Sequence, residues 1–395
     1  MDQKATLNII YTNIGRGHPY YLDGVVDSLQ TDYTDRIELK ITDVFAVSGG
    51  LALMLWKAVR FMYRAGSQGG FIGRFYESLR RSRSAGGLGI VERNLAGGLR
   101  HFVKHNRHPT LVAHPILVPM ISDLVPVYYQ HGEIAVPGEA VVSGARKVFL
   151  PLEECRDRFT GEKHIEGVPV VSGLCIESGI AERAQEYFDA RVARIESDMP
   201  LTGAFFSSGA EPREHVNRII MAVRSLVESG HKAIIFCKEG GRLMRKLRAY
   251  PGPSIFMRAF DQAEFEHNLD TLKMVAVVFR NRREENDLTT RCFRYFDYFA
   301  APSHERTNWA VGLGLPMFVL HPIIGTFSPL NHEFLTRHGV AIDINIDKKA
   351  YDFASLLRRL RNEDRLLTMA RNGYGRYGTD GFITVADAIV NDLTG

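Results

Sequence analysis

Short apolar runs and amphipathic stretches alternate along this chain, pause at Pro200, and then begin again. The first run, residues 7–11 (Leu-Asn-Ile-Ile-Tyr), has the apolar character of a strand covered on both faces. A glycine-bearing turn follows, Thr12-Asn13-Ile14-Gly15-Arg16-Gly17-His18, and residues 20–30 then set Leu22, Val25, Val26 and Leu29 on one helical face. Further strand patterns fall at 37–41, 111–113, 125–129, 147–150 and 168–171. A strand that reaches its neighbour through a helix must lie parallel to it, so this half predicts a parallel sheet with covering helices. The second series has strands at 201–206, 233–237, 254–257, 274–279, 298–301 and 316–320, with an amphipathic helix at 215–228.

With 395 residues, of which 45% are apolar and 24% charged, the chain is globular in composition and long enough for two cores. The reading is an α/β fold of two doubly wound, Rossmann-like domains facing across a cleft. Residues 1–176 form the first domain, and 177–200, a polar helical stretch, link it to the second at 201–375. A helical segment at 376–395 is expected to pack back on the first domain. The cysteines Cys155, Cys175, Cys237 and Cys292 make no C-x-x-C pair, so no zinc site or disulfide framework is expected. No leader and no apolar run of membrane-spanning length is apparent, so a cytoplasmic protein is expected.

Two turns offer chemistry. Gly15 and Gly17 let backbone come close to a ligand at a helix amino terminus, and His18 stands where α/β sheets place their ligands. An imidazole there can accept a proton near neutral pH. The alternative is a plain glycine turn whose histidine caps the helix. In the second half, Ser303-His304-Glu305-Arg306-Thr307-Asn308-Trp309 runs from a strand end into a helix, with hydroxyl and amide groups suited to phosphate. The small-residue turn Ser207-Ser208-Gly209-Ala210 and Arg280 after the 274–279 strand are further candidates for the same ligand. Arg280 is as readily part of a solvated charge run.

These segments carry a family resemblance. Gly15-Arg16-Gly17-His18 resembles the glycine-glycine-histidine turn of family 28 glycosyltransferases, the group of the lipid II-forming N-acetylglucosaminyltransferase and the diacylglycerol glycosyltransferases. His114-Pro115, the strand end at 128–132, residues 146–150, Ile165-Glu166-Gly167-Val168-Pro169-Val170, Gly314-Leu315-Pro316 and Asn331 fall in the family's order. The resemblance implies the GT-B fold and a nucleotide-sugar donor, expected to be a UDP-sugar. It assigns donor contacts to Gly15, Gly17, Ser207, Ser208, Gly209, Ser303, Glu305, Thr307, Asn308 and Asn331, to which the Arg280 candidate is added from its place after a strand, and the catalytic base to His18. The family's ribose-binding glutamate falls on Trp309, which accepts no hydrogen bond from a ribose hydroxyl; Glu305, one turn earlier, is its expected substitute.

Residues 57–107 hold eleven Lys or Arg against two Glu, although the chain's formal net charge is only +4. Within and beside that region, Trp56, Phe61 and Phe71 mix with Arg60, Arg64, Arg80, Arg81 and Arg83. Such a segment predicts peripheral contact with the anionic inner membrane face and a lipid acceptor; the alternative is a core helix with a solvated edge. Nucleic acid is not an expected partner, because the aromatics cluster with aliphatics and form no stacking platform.

The leading expectation is therefore an inverting, metal-independent glycosyltransferase needing no cofactor and no metal. The alternatives are a non-catalytic sugar-nucleotide or lipid-binding GT-B protein and a sugar-nucleotide 2-epimerase.

Overall fold

The computed structural model describes residues 4–66, 90–160, 167–249 and 255–395. The chain forms two compact units, Met1–Ser178 together with Gly378–Gly395, and Gly179–Tyr377.

Six strands build the first unit's sheet: β1 (Ala5–Tyr11), β2 (Ile37–Asp43), β3 (Thr110–Val112), β4 (Val127–Gln130), β5 (Lys147–Leu150) and β6 (Val168–Val171). They lie in the order β2-β1-β3-β4-β5-β6, and every neighbouring pair is parallel. Pro169 is confined to β6, an edge strand, where a missing backbone N–H is tolerated.

The helix Gly17–Asp32 buries Leu22, Val25, Val26 and Leu29 against β1 and against the last helix, Gly381–Thr394, which contributes Phe382, Val385, Ala386, Ile389 and Val390 to the same core. Their close approach depends on Gly24, where an added Cβ would lie 2.2 Å from the Phe382 ring. The last helix is also latched electrostatically. Asp392 accepts hydrogen bonds from the Tyr128 hydroxyl and from Arg146 at 2.6 Å, and Lys147 lies 3.0 Å away.

The second unit's sheet contains β7 (Thr202–Phe206), β8 (Lys232–Lys238), β9 (Ile255–Met257), β10 (Met274–Phe279), β11 (Tyr298–Ala301), β12 (Met317–Leu320) and β13 (Ala341–Ile344). Its order is β13-β12-β11-β7-β8-β10-β9, again parallel throughout. The helix Arg213–Glu228 sets Val216, Ile219, Ala222, Val223 and Leu226 into this unit's core, as its periodicity predicts.

Two elements depart from the sequence reading. The 177–200 stretch, expected as a linker, contains the helix Ala184–Glu196, which is built into the second unit. Its fully buried Arg191 donates to the backbone carbonyls of Phe296 at 3.2 Å, Leu313 at 2.8 Å and Gly314 at 3.1 Å. The edge strand β13 has no strand-like signature, since a half-buried aspartate, Asp343, stands inside its four residues. Among the described residues no helix is long and apolar enough to cross a membrane.

Candidate functional site

In each sheet the chain leaves one pair of adjacent strands in opposite directions, and the carboxyl ends of such a pair are where α/β sheets place their ligands. In the first unit that pair is β1 and β3; in the second it is β7 and β11.

The β1 turn leads into the helix Gly17–Asp32, whose N-cap position, Arg16, supplies no side-chain cap and whose first turn holds no acidic residue. His18 sits in that first turn, half-buried. After β3 comes His114, and the two imidazoles pack with ring centroids 4.5 Å apart. The Ile116 backbone N–H donates to Nδ1 of His114 at 3.2 Å, which fixes that nitrogen as an acceptor and leaves Nε2 to carry the proton of the neutral ring.

A third group arrives from the loop after β4. Glu133 is 7% exposed, and its Oε1 lies 3.4 Å from where a Cβ on Gly17 would stand. Gly132 makes this approach possible, since a Cβ there would meet the Tyr21 ring at 2.1 Å. The neighbouring His131 is a structural group: burial pushes its pKa down to about 4, and its ring bonds the Ala135 carbonyl at 3.2 Å. Hence His18, His114 and Glu133 gather at the first unit's switch point. The sequence reading named only His18; the signal for Glu133 is its place just past a strand's carboxyl end.

At Gly15 and Gly17, expected to approach a donor phosphate, protein atoms stand nearby: a Cβ at Gly15 would lie 2.7 Å from the Tyr63 hydroxyl, and one at Gly17 would stand 3.4 Å from the Glu133 carboxylate, an ordinary contact distance. An acid beside the helix amino terminus takes the favourable place for negative charge that a phosphate would otherwise use.

In the second unit, Ser303 and Asn331 are fully buried and tie the β11 loop to the helix Phe327–Arg337. The Ser303 and Ser328 hydroxyls are 2.9 Å apart, and Nδ2 of Asn331 donates to the Ser303 carbonyl at 3.1 Å. Glu305 is also inside, 3.3 Å from Arg306, whose guanidinium pairs with Glu285 at 2.5 Å and lies over the Phe206 ring at 4.1 Å. Thr307 and Asn308, expected as phosphate contacts, are 0% and 1% exposed. Trp309 stands edge-on to Phe206, Phe293 and Phe299 with centroids 5.5–5.6 Å away, a core position in place of a ribose contact.

The accessible part of this switch point is the β7 turn, where Ser207 and Ser208 are half-buried and Gly209 is exposed. The Ser207 Oγ is buried without a hydrogen-bond partner among the described residues. This turn precedes the helix Arg213–Glu228, whose N-cap, Pro212, offers no side-chain cap. Arg280 follows β10, two strands from β7 and so roughly 10 Å across the sheet, and is paired with Glu284 at 3.1 Å.

The expected membrane segment divides. Trp56 is 0% exposed and donates Nε1–H to the Leu95 carbonyl at 3.1 Å, so it is a core residue and not a lipid contact. Arg60 lies over the Phe45 ring at 4.5 Å. Leu51, Met54, Phe61 and Met62, by contrast, form an exposed apolar stripe on the helix Gly50–Gly66. The Arg64 side chain, Phe71, Arg80, Arg81 and Arg83 lie outside the described residues.

No family model and no curated protein matches this chain. Solved structures do match over its whole length. A UDP co-structure of Staphylococcus aureus MnaA has 12% identity and a TM-score of 0.55, covering 99% of this chain and 96% of that one. The UDP-GlcNAc 2-epimerase of Neisseria meningitidis, bound to UDP-GlcNAc, has 13% identity and a TM-score of 0.53, covering 98% and 99%. A UDP-glucosyltransferase of Polygonum tinctorium has 8% identity and a TM-score of 0.52 over 100% of both chains. The fold is GT-B. Likeness at this identity speaks for the fold alone, and the family 28 resemblance is not singled out by it, since transferases and epimerases are matched alike.

Proposed function

We propose that this GT-B chain is an enzyme of nucleoside-diphosphate sugars, and that it transfers the sugar with inversion. The observation that carries the reading is His18 in the first turn of an uncapped helix at the first unit's switch point, ring against ring with His114. His18 takes the proton of an acceptor hydroxyl as that oxygen bonds to the anomeric carbon. The bond from that carbon to the diphosphate oxygen breaks, and the electron pair leaves with the nucleoside diphosphate. Donor phosphate is assigned to the Ser207-Ser208-Gly209 turn and the uncapped helix after it, where backbone N–H groups favour an anion. Two of the matched structures hold UDP or UDP-GlcNAc, which supports a uridine donor.

A lipid acceptor remains part of the proposal through the exposed stripe of Leu51, Met54, Phe61 and Met62. A second reading, epimerisation of the donor sugar, is favoured by one observation: Glu133 places a carboxylate at the same switch point as His18, giving a base and an acid at one site.

Incubation with UDP-, dTDP-, GDP- and CDP-sugars in deuterated water separates the two. Transfer releases nucleoside diphosphate in proportion to acceptor, whereas epimerisation places solvent deuterium on a ring carbon and needs no acceptor. His18→Ala is expected to lower turnover by ~10²–10⁴-fold with little change in donor affinity. Full turnover by that variant removes His18 from the chemistry.

A further inference from the structure

The second unit gathers three metal-ligand side chains around β12 and β13, the strands on the far side of β11 from β7. His321 directly follows β12, Asp343 belongs to the adjacent β13, and His332 comes from the helix Phe327–Arg337 that packs against β13. Nε2 of His332 lies 2.7 Å from Oδ1 of Asp343, and Nε2 of His321 lies 3.2 Å from the same oxygen. The three ligand atoms all fall within 4.8 Å of one another, and all three residues are half-buried. The imidazole planes stand at 89°, so the two rings reach the carboxylate from different directions.

We propose that His321, His332 and Asp343 bind one divalent transition-metal ion of the zinc type, with coordination positions left open on the exposed side. Two imidazoles and one carboxylate suit zinc, cobalt or nickel; magnesium and calcium prefer an all-oxygen shell. Tetrahedral zinc with bonds of about 2.0–2.2 Å sets neighbouring ligand atoms about 3.3 Å apart. The His321–Asp343 separation of 3.2 Å already has that value. The His332–Asp343 separation of 2.7 Å has to open by about 0.6 Å, a shift that side-chain torsions supply.

Nearby cations hold the ligand backbones and leave the carboxylate alone. Arg218 donates to the His321 carbonyl and also meets Asp347 at 3.1 Å, while Lys349 donates to the Asp343 carbonyl at 3.1 Å. The ligands come from a strand end, an edge strand and a helix, so the ion would pin that helix to the sheet edge. No step of sugar transfer is assigned to it.

The test is a titration of untagged, chelator-treated protein with cobalt(II), followed by visible absorption, metal analysis and thermal unfolding. One cobalt per chain is expected, with an absorption band typical of nitrogen coordination, displacement by zinc, and a raised melting temperature. His332→Ala and Asp343→Asn should each weaken binding by about 100-fold or more, since even second-shell changes typically cost 10–100-fold. A rival chelate among the described residues is the His101–His105 pair, one helical turn apart with ring centroids 4.4 Å apart. Replacing both with alanine should leave the cobalt band intact. Circular dichroism confirms that each variant folds, and His321→Ala stands in for any that does not. Absence of a cobalt band in folded wild-type protein overturns the proposal, as does a band that disappears with His101 and His105. Either result makes the triad a hydrogen-bonded His–Asp–His group only.

Discussion

Asp392→Asn should loosen the last helix from the first unit's sheet, and by an amount that depends on pH in a stated direction. The wild-type carboxylate accepts from the Tyr128 hydroxyl and pairs with Arg146 at 2.6 Å and Lys147 at 3.0 Å. A hydrogen bond to a charged group contributes about 1.5–3 kcal/mol, part of which the asparagine carbonyl retains. Arg146 is 51% exposed and Lys147 23% exposed, so each ion pair contributes only about 0.2–1 kcal/mol. The net loss at neutral pH is about 2 kcal/mol, or roughly 4–8 °C in the first unit's transition at the 2–4 °C per kcal/mol typical of this size. Burial works to raise the Asp392 carboxyl, but the bonds from Arg146, Tyr128 and Lys147 outweigh it and hold the group well below the usual carboxylate range. A depressed folded value means the stabilisation is fully present above the unfolded value of about 3.9 and fades as pH falls below it. Scanning calorimetry of wild type and variant should therefore show a constant gap from pH 7 to 5, closing below about pH 4. A gap that persists undiminished at pH 2.5, or no gap at pH 7, refutes the charge-based account of the latch.

Other outcomes follow from single residues. Trp309→Ala should cost about 3–5 kcal/mol and lower the second unit's melting temperature, because it empties an aromatic core position; Trp309→Phe should lose far less. An alanine variant that melts like wild type would show that the ring is not core. Phe61→Ser combined with Met54→Ser should reduce sedimentation with anionic vesicles, since both side chains are exposed, at 72% and 68%. Equal vesicle binding by wild type and variant would remove the stripe from any lipid contact.

Both sheets were largely legible because buried parallel strands are written as unbroken apolar runs, such as Val275 to Val278 in β10. The same cue fails at β13, where Asp343 interrupts a four-residue strand on the sheet edge. It also fails for polar residues that work inside. Arg191 sits on a stretch that reads as a solvated linker, yet its guanidinium donates to three backbone carbonyls. On the helix Gly50–Gly66, apolar groups occupy both faces, and periodicity alone cannot say that Trp56 turns inward while Met54 and Phe61 turn out. At the candidate site, His18 carried a local motif and could be found. His114 and Glu133 are joined to it only by the strand order. The His321, His332 and Asp343 group is spaced eleven residues apart on three elements, a pattern that matches no short motif.

The first unit is discontinuous along the chain: residues up to Ser178 wait for a helix that begins at Gly381, with the whole second unit encoded in between. On the ribosome, Gly179–Tyr377 can therefore complete its sheet before the first unit can close its core. Until Phe382 emerges, the face of the helix Gly17–Asp32 that carries Tyr20 and Gly24 stays uncovered and open to solvent and to other nascent chains. A premature stop near residue 380 would leave the second unit intact and still deprive the His18 turn of the packing that holds its helix in place. The helix Gly381–Thr394 thus governs the integrity of a site encoded more than three hundred residues earlier, at His18.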